Sequence, residues 1–438
     1  MSWLGAKRGR AGGPVLKVQQ TMIGEYMALL TASRAARVVA RAKLSFECVE
    51  DPRAYSGEKI VPLPALMRLM VTSFASGKMV LRATEALSSD MTSGIRKALG
   101  LPGGVSDTPL WGLLKRTNPE GFRETLFQSL RRDLDSKAIT NDVFPGGVAA
   151  YDGKGAGSGW GEAPNEQCRT RTFEGEAYWD TFALRACLVS SSAAPILDQE
   201  LIPNKKGEPT TFPMMFERDV RRFPRLFRYV TGDAGLPSST NAQLVVDHDK
   251  CYLWQIKGNF GVLYPQALEM LDNSPVLATT TVRAQGKEVR REIRRVKVPD
   301  DVTFPGATQF IAVRQIRTSE DGTQECEDRV YITAIPWQEL SPKMLLKMVR
   351  LHWQIENGAN WTTDMILQED SRRPCNKGFG PIIVSWLLVL AYNLIAVFRA
   401  HLPTKDRLPQ RWQRVQEVFY QALLDTPARR RSQAATEV

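Results

Sequence analysis

The sequence predicts an α/β chain, a mixed sheet covered by helices behind a helical N-terminal region. Three observations predict it. Apolar residues recur at helical spacing as far as about residue 145. From Gly146, short apolar runs closed by Asp and Gly read as three successive strands, then helix, strand, helix, strand. That order gives a sheet with both antiparallel and parallel pairs. Residues 261–340 then break the alternation with further strand-like runs, and helical pattern returns at Ser341.

Taken in order, residues 63–79 carry the first strong helical spacing. A glycine-rich stop after Leu99 precedes Ser106, Asp107 and Thr108, any of which can cap a helix with Pro109 in its first turn. Helix, turn and basic helix suit a DNA-reading element and the packing of a small helical domain equally well. Residues 148–152 read as the first strand, ending at an Asp152-Gly153 turn, and residues 182–190 and 194–202 as the next two. A helix over 216–227 runs until Pro224 interferes. Residues 228–235 form a strand closed by Asp233, 238–248 a capped helix, and 252–256 a strand before Lys257-Gly258-Asn259. Within 261–340, the runs 309–316 and 329–335 flank a hairpin-like Glu320-Asp-Gly-Thr, and a basic stretch carries Arg290, Arg291, Arg294 and Arg295. Ser341 before Pro342 caps a helix running through Trp361.

Residues 382–398 hold only Ser385 and Asn393 as clearly polar residues. The run lies at the lower length limit for a membrane span and stands alone, so it reads as a buried core helix. The basic tail from Leu402 reads as frayed. The resulting division is 1–145, helical and a possible DNA-binding unit; 146–260 with 341–400, the sheet core; 261–340, a β-rich insertion; and 401–438, the tail.

Composition narrows the function. Of 438 residues, 43% are hydrophobic and 24% charged, which excludes disordered, collagenous and coiled-coil classes. Lys and Arg number 58 against 47 Asp and Glu, a net charge of +11 that suits a polyanion such as nucleic acid. Six scattered cysteines without a C-x-x-C and three histidines exclude zinc-finger and His-rich metal sites, and point to a reducing cytoplasm. The basic N-terminus has no apolar run behind it and does not read as a signal peptide.

Three carboxylates stand out. Asp152 and Asp233 close two different strands, where ligands collect in open sheets. Glu356 lies in the helix that returns to the sheet after the insertion. Three carboxylates on one concave surface suit two magnesium ions, which take hard oxygen ligands and leave positions for water and phosphate. Singly, each has a bland reading, as a turn residue or a solvated helix face.

The segment from Arg350 to Arg372, which opens Arg350-Leu-His-Trp-Gln-Ile-Glu-Asn-Gly-Ala-Asn-Trp, resembles the glutamate-helix signature of DDE transposases of bacterial insertion sequences. It is most similar to the IS-four-like branch with a β-rich insertion, and there to the H-repeat-associated type. Asp152-Gly153-Lys154, Thr231-Gly232-Asp233-Ala234-Gly235 and Lys257-Gly258-Asn259 stand in the matching order. The resemblance spans about residues 60–400. It implies a ribonuclease-H-like core in which Asp152, Asp233 and Glu356 are both catalytic and metal-binding. The cofactor implied is two Mg2+ ions, for which Mn2+ can substitute. The implied reaction cuts element ends and joins the 3′-hydroxyl to target DNA. Double-stranded DNA is then the partner, without a membrane, for a dimer when bound to DNA, in the cytoplasm and at the nucleoid.

Where many relatives carry Tyr, Arg and a later Lys around the glutamate, this chain has Val349, His352 and Thr363. Arg350, Arg372 and Arg373 are therefore expected to supply phosphate contacts, with Lys154, Lys257 and His352 beside the acids. Two other readings remain open at this point: a decayed or repurposed DNA-binding relative, and a metal-dependent nuclease without strand transfer.

Overall fold

The computed structural model describes residues 44–53, 61–203, 207–284, 286–371, 374–402 and 412–424. Among the described residues, five helices come first: α1 (Leu63–Ala75), α2 (Leu81–Asp90), α3 (Ser93–Leu99), α4 (Asp107–Arg116) and α5 (Phe122–Asp135). The Thr92 hydroxyl accepts from the Ile95 amide to cap α3, and Gly100, at φ 79°, ends it in the left-handed region where a side chain would be strained.

Ten strands then build one sheet: β1 (Val148–Trp160), β2 (Arg169–Phe173), β3 (Glu176–Leu188), β4 (Ile196–Leu201), β5 (Tyr229–Gly232), β6 (Cys251–Ile256), β7 (Ala278–Ala284), β8 (Lys287–Lys297), β9 (Gln309–Thr318) and β10 (Gln324–Thr333). Their order is β2-β3-β1-β5-β6-β10-β9-β8-β7, with β4 also paired to β3. β1, β3 and β4 are antiparallel neighbours, whereas β1, β5 and β6 run parallel. Helix α6 (Glu208–Arg222) links β4 to β5, and α7 (Ser239–Asp247) links β5 to β6. Three antiparallel strands followed by two parallel ones with helical crossovers are the ribonuclease-H-like arrangement.

Several expectations need correction. β1 does not stop at Asp152: it continues to Trp160, because Gly153 keeps pairing, with Leu184 of β3, and a bulge between Gly155 and Gly157 absorbs the irregularity. The glycines that suggested a turn are room for neighbours; a Cβ on Gly159 would lie 2.7 Å from a ring carbon of Trp179. Helix α6 covers Glu208–Arg222 rather than 216–227, and Pro213 sits inside it. That proline cannot donate to the Pro209 carbonyl, which instead accepts from Asn241 Nδ2 at 3.2 Å. Residues 261–340, read as a β-rich insertion, form helix α8 (Leu263–Asp272) and β7–β10. β10 pairs with β6, so the insertion extends the central sheet.

Helix α9 (Pro342–Gln354) starts as the sequence suggests, with the Ser341 hydroxyl accepting from the Met344 amide. It then widens into π-helical turns, Ile355–Asn360 and Thr362–Ile366. Helix α10 (Gly380–Ala400) is long and apolar enough to cross a membrane, yet it is buried against α1, α4 and the sheet. A helix apolar all round belongs in such a core. Its two polar residues are stitched in: Asn393 exchanges two hydrogen bonds of 2.8 Å with the backbone of Ile196, and Ser385 donates to Gln199 and Glu369. The tail is not wholly frayed, since α11 (Trp412–Leu424) packs Phe419 against Phe398 at 5.1 Å.

Candidate active site

Register sets the site. The parallel ladder between β1 and β5 ends at Tyr151 opposite Gly232, so Asp152 and Asp233 are the next residues on neighbouring strands. Parallel strands lie about 4.8 Å apart, which brings the two residues side by side although 80 residues intervene in the chain. Asp233 is held by a local turn, its Oδ1 accepting from the Gly235 amide at 2.9 Å. Asn259, of Lys257-Gly258-Asn259, donates to the Ala234 carbonyl at 3.1 Å and ties the end of β6 to this turn.

The π-helical turn delivers the third acid. Its widened path leaves Glu356 exposed and turns Asn360 inward, where Nδ2 donates to Asp152 Oδ2 at 2.9 Å. His352 is buried one turn earlier, with Nδ1 3.1 Å from the Thr231 hydroxyl on β5 and Nε2 3.7 Å from Glu356. Burial pushes its pKa down to about 4, with Asp233 opposing and Arg329 assisting. At neutral pH it is therefore an uncharged spacer between β5 and Glu356, which corrects the expectation of a phosphate contact.

The acids act on one another. Burial pushes the Asp152 carboxyl up to about 7, and the charges of Glu356, Glu208 and Asp233 add to the rise, while the Asn360 hydrogen bond opposes it. Burial also raises Glu356, with Arg329 and Lys257 pulling down and Asp233 pushing up. Two carboxylates about 5 Å apart repel by roughly 3 kcal/mol at an effective dielectric near 20.

The expected supporting residues divide. Lys257 is exposed and close enough to stabilise the Glu356 carboxylate. Lys154 is buried instead, its ammonium engaged by Asp364 and donating to the Gly155 carbonyl at 2.7 Å, so an internal acid has taken the charge that was expected to meet phosphate. Arg350 is exposed on another face of α9, beside Arg291 of the insertion rather than beside the acids. Arg372 and Arg373 lie outside the described residues. Glu369, three residues before Arg372 in the chain, is buried and paired with the equally buried Arg185 at 2.6 Å.

Sequence reasoning missed two residues. Arg329, on β10, stacks over Trp353 at 4.1 Å and sends its charge toward Glu356 and His352. Glu208, the first residue of α6, has its carboxyl pushed up to about 7 by burial and by Asp233. The only signal for Glu208 was Gly207-Glu-Pro, a helix start that was placed too late.

The fit of this set to divalent cations rests on donor chemistry. All the candidate donors are carboxylate oxygens, and the buried Asn360 Oδ1 and His352 Nε2 beside them make no hydrogen bond among the described residues. Among the described residues, no group of three or more His, Cys, Asp or Glu side chains is arranged to hold a metal ion.

A family model described as the transposase DDE domain matches residues 157–394. The chain belongs to that family. The match covers more than half of the sequence, begins just after Asp152, and takes in Asp233 and Glu356. Among solved structures, this DDE-domain chain is similar to the cryo-EM structure of the piggyBac transposase synaptic complex with hairpin DNA. That likeness has 10% identity and a TM-score of 0.41, over 92% of this chain and 81% of that one. No curated protein matches the sequence.

Proposed function

We propose that this chain is a magnesium-dependent DNA transposase, which cleaves the phosphodiester at element ends and joins the freed 3′-hydroxyl to target DNA. Asp152, Asp233 and Glu356 are its metal-binding acids, with manganese an acceptable substitute. The observation that carries the reading is the gathering of acids at Asp152: burial raises its carboxyl most, and the charges of Glu356, Glu208 and Asp233, from three separate elements, raise it further. When bound, two divalent cations neutralise phosphate oxygens and polarise the attacking and leaving oxygens of an in-line displacement.

The chain's own residues prepare that chemistry. Asp152 feels the charges of both Asp233 and Glu356 and is the natural shared ligand. Asn360 holds its Oδ2. Neutral His352 fixes the height of Glu356 above β5 without adding a charge. Lys257 offers an exposed cation to the DNA backbone, and the surplus of 11 positive charges favours the duplex as a whole. The active unit on DNA is a dimer that pairs two ends.

The test incubates the protein with labelled element-end DNA, a plasmid and Mg2+. Joined products are expected from the wild type, and none from D233A of unchanged circular dichroism. Nicks without joining would make the chain a nuclease. DNA binding without cutting would make it a repurposed relative. Wild-type cutting by D233A would remove Asp233 from the site.

A further inference from the structure

β1 runs on past Asp152 to Trp160, about 26 Å of extended chain, and with β2 and the start of β3 it forms an arm beyond the acids. The arm is fully paired. Trp160 lies opposite Tyr178, which lies in turn opposite Arg171. Glu174 and Gly175, both at positive φ (49° and 86°), make the tight turn that joins β2 to β3. The Arg169 guanidinium donates to both oxygens of Asp180, at 2.6 and 2.9 Å, and Trp179 is buried on the opposite face.

The face that carries Trp160 stays open. Trp160 is 70% exposed and Phe173 56%, their ring centroids are 6.4 Å apart, and Tyr178 lies 6.0 Å from Trp160. Single exposed apolar residues are ordinary, but three rings gathered at the end of an arm mark an interaction surface. β2 is also an edge of the sheet. Among the described residues it pairs with β3 alone, so its outer row of backbone groups is open to another strand.

Charge selects the partner. Residues 157–180 hold five acids against two arginines in a chain whose net charge is +11, so the arm repels the polyanion that the rest of the chain attracts. Along β2 and its turn the signs are ordered, Arg169 and Arg171 first, Glu174 and Glu176 last. The same strand from a second copy, laid antiparallel, sets the arginine half of each against the glutamate end of the other. The edge is complementary to itself.

We propose that a second copy of this chain covers the arm, β2 against β2 across a two-fold axis, with Trp160, Phe173 and Tyr178 of the two copies packed together. This deepens the proposed function by naming the surface on which the two copies of its dimer meet. The pairing needs neither DNA nor metal, so its failure and the failure of the cleavage reading are separate results.

The experiment is sedimentation velocity of the full chain, without DNA or metal, from about 1 to 100 µM. The wild type is expected to pass from monomer to dimer across that range. W160A/F173A removes only exposed rings, so it should keep the wild-type circular dichroism and melting temperature while its dissociation constant rises roughly 10- to 100-fold. E174K and R171E each set like charges across the axis, and each should dimerise more weakly than the wild type. Mixed in equal amounts they restore both opposite-charge pairs, and the mixture should dimerise better than either alone. R171E also gives up its 3.6 Å ion pair with Asp180, a loss that mixing does not repair. A wild type that stays monomeric at the highest concentration would overturn the proposal, as would an undiminished dimer of W160A/F173A or a mixture no better than its parts. A W160A/F173A that keeps the dimer but loses duplex binding in fluorescence anisotropy would assign the arm to DNA instead.

Discussion

Replacing Asp152 by Asn removes the charge on which the other acids converge, and without metal it should stabilise the fold in a pH-dependent way. A carboxyl that rises from its ordinary 3.8 to about 7 in the folded protein holds its proton more tightly folded than unfolded. Its contribution to stability is therefore fully present below pH 4 and is lost as pH rises through 7. The rise corresponds to about 4 kcal/mol, and screening by water at the open face of the site sets a lower bound of about 1 kcal/mol. The introduced amide mimics the protonated acid and can keep an oxygen for Asn360 Nδ2 to donate to. In EDTA, D152N and wild type should melt together near pH 4. The variant should gain steadily to about pH 7 and then hold a lead of about 2–6 °C. Melts followed by circular dichroism from pH 4 to 8 give the difference directly, and groups common to both proteins cancel. A D152N that melts below the wild type throughout, or a gap that ignores pH, would refute the electrostatic account of the site.

Other variants test the surroundings. R185M strands Glu369 in the core and should cost about 3–5 kcal/mol, read as a large fall in melting temperature, whereas R185M/E369L should recover much of it. K154M should lower stability by about 1–3 kcal/mol by leaving Asp364 unpaired, with the salt dependence of DNA binding unchanged, because Lys154 faces inward. K257A should act in the opposite sense: near-normal stability, weaker DNA binding, and a salt slope smaller by about 1 in a fluorescence-anisotropy titration.

Much of this architecture was legible in the sequence, and the failures share a physical cause. Strand order and the capped starts at Ser238 and Ser341 follow from local signals, apolar runs and hydroxyl caps, which the folded chain leaves unaltered. The end of β1 was misplaced because glycine has two uses. Asp152-Gly153 reads as a turn locally, whereas the fold needs Gly153 for clearance beside a side chain that arrives from residue 208. Glu208 was overlooked for the same reason, since nothing near it in sequence reveals what its carboxylate meets. The basic residues divided along similar lines. That Lys154 is spent on Asp364 and Arg185 on Glu369 depends on partners 210 and 184 positions away, which no local pattern reports. His352 kept its place beside Glu356 but lost its expected charge to burial.

Anomalous diffraction from crystals soaked in MnCl2 tests the central claim most directly. Two manganese peaks are expected within ligating distance of Asp152, one shared with Asp233 and the other with Glu356. Peaks elsewhere on the molecule, with none touching these three carboxylates, would contradict it.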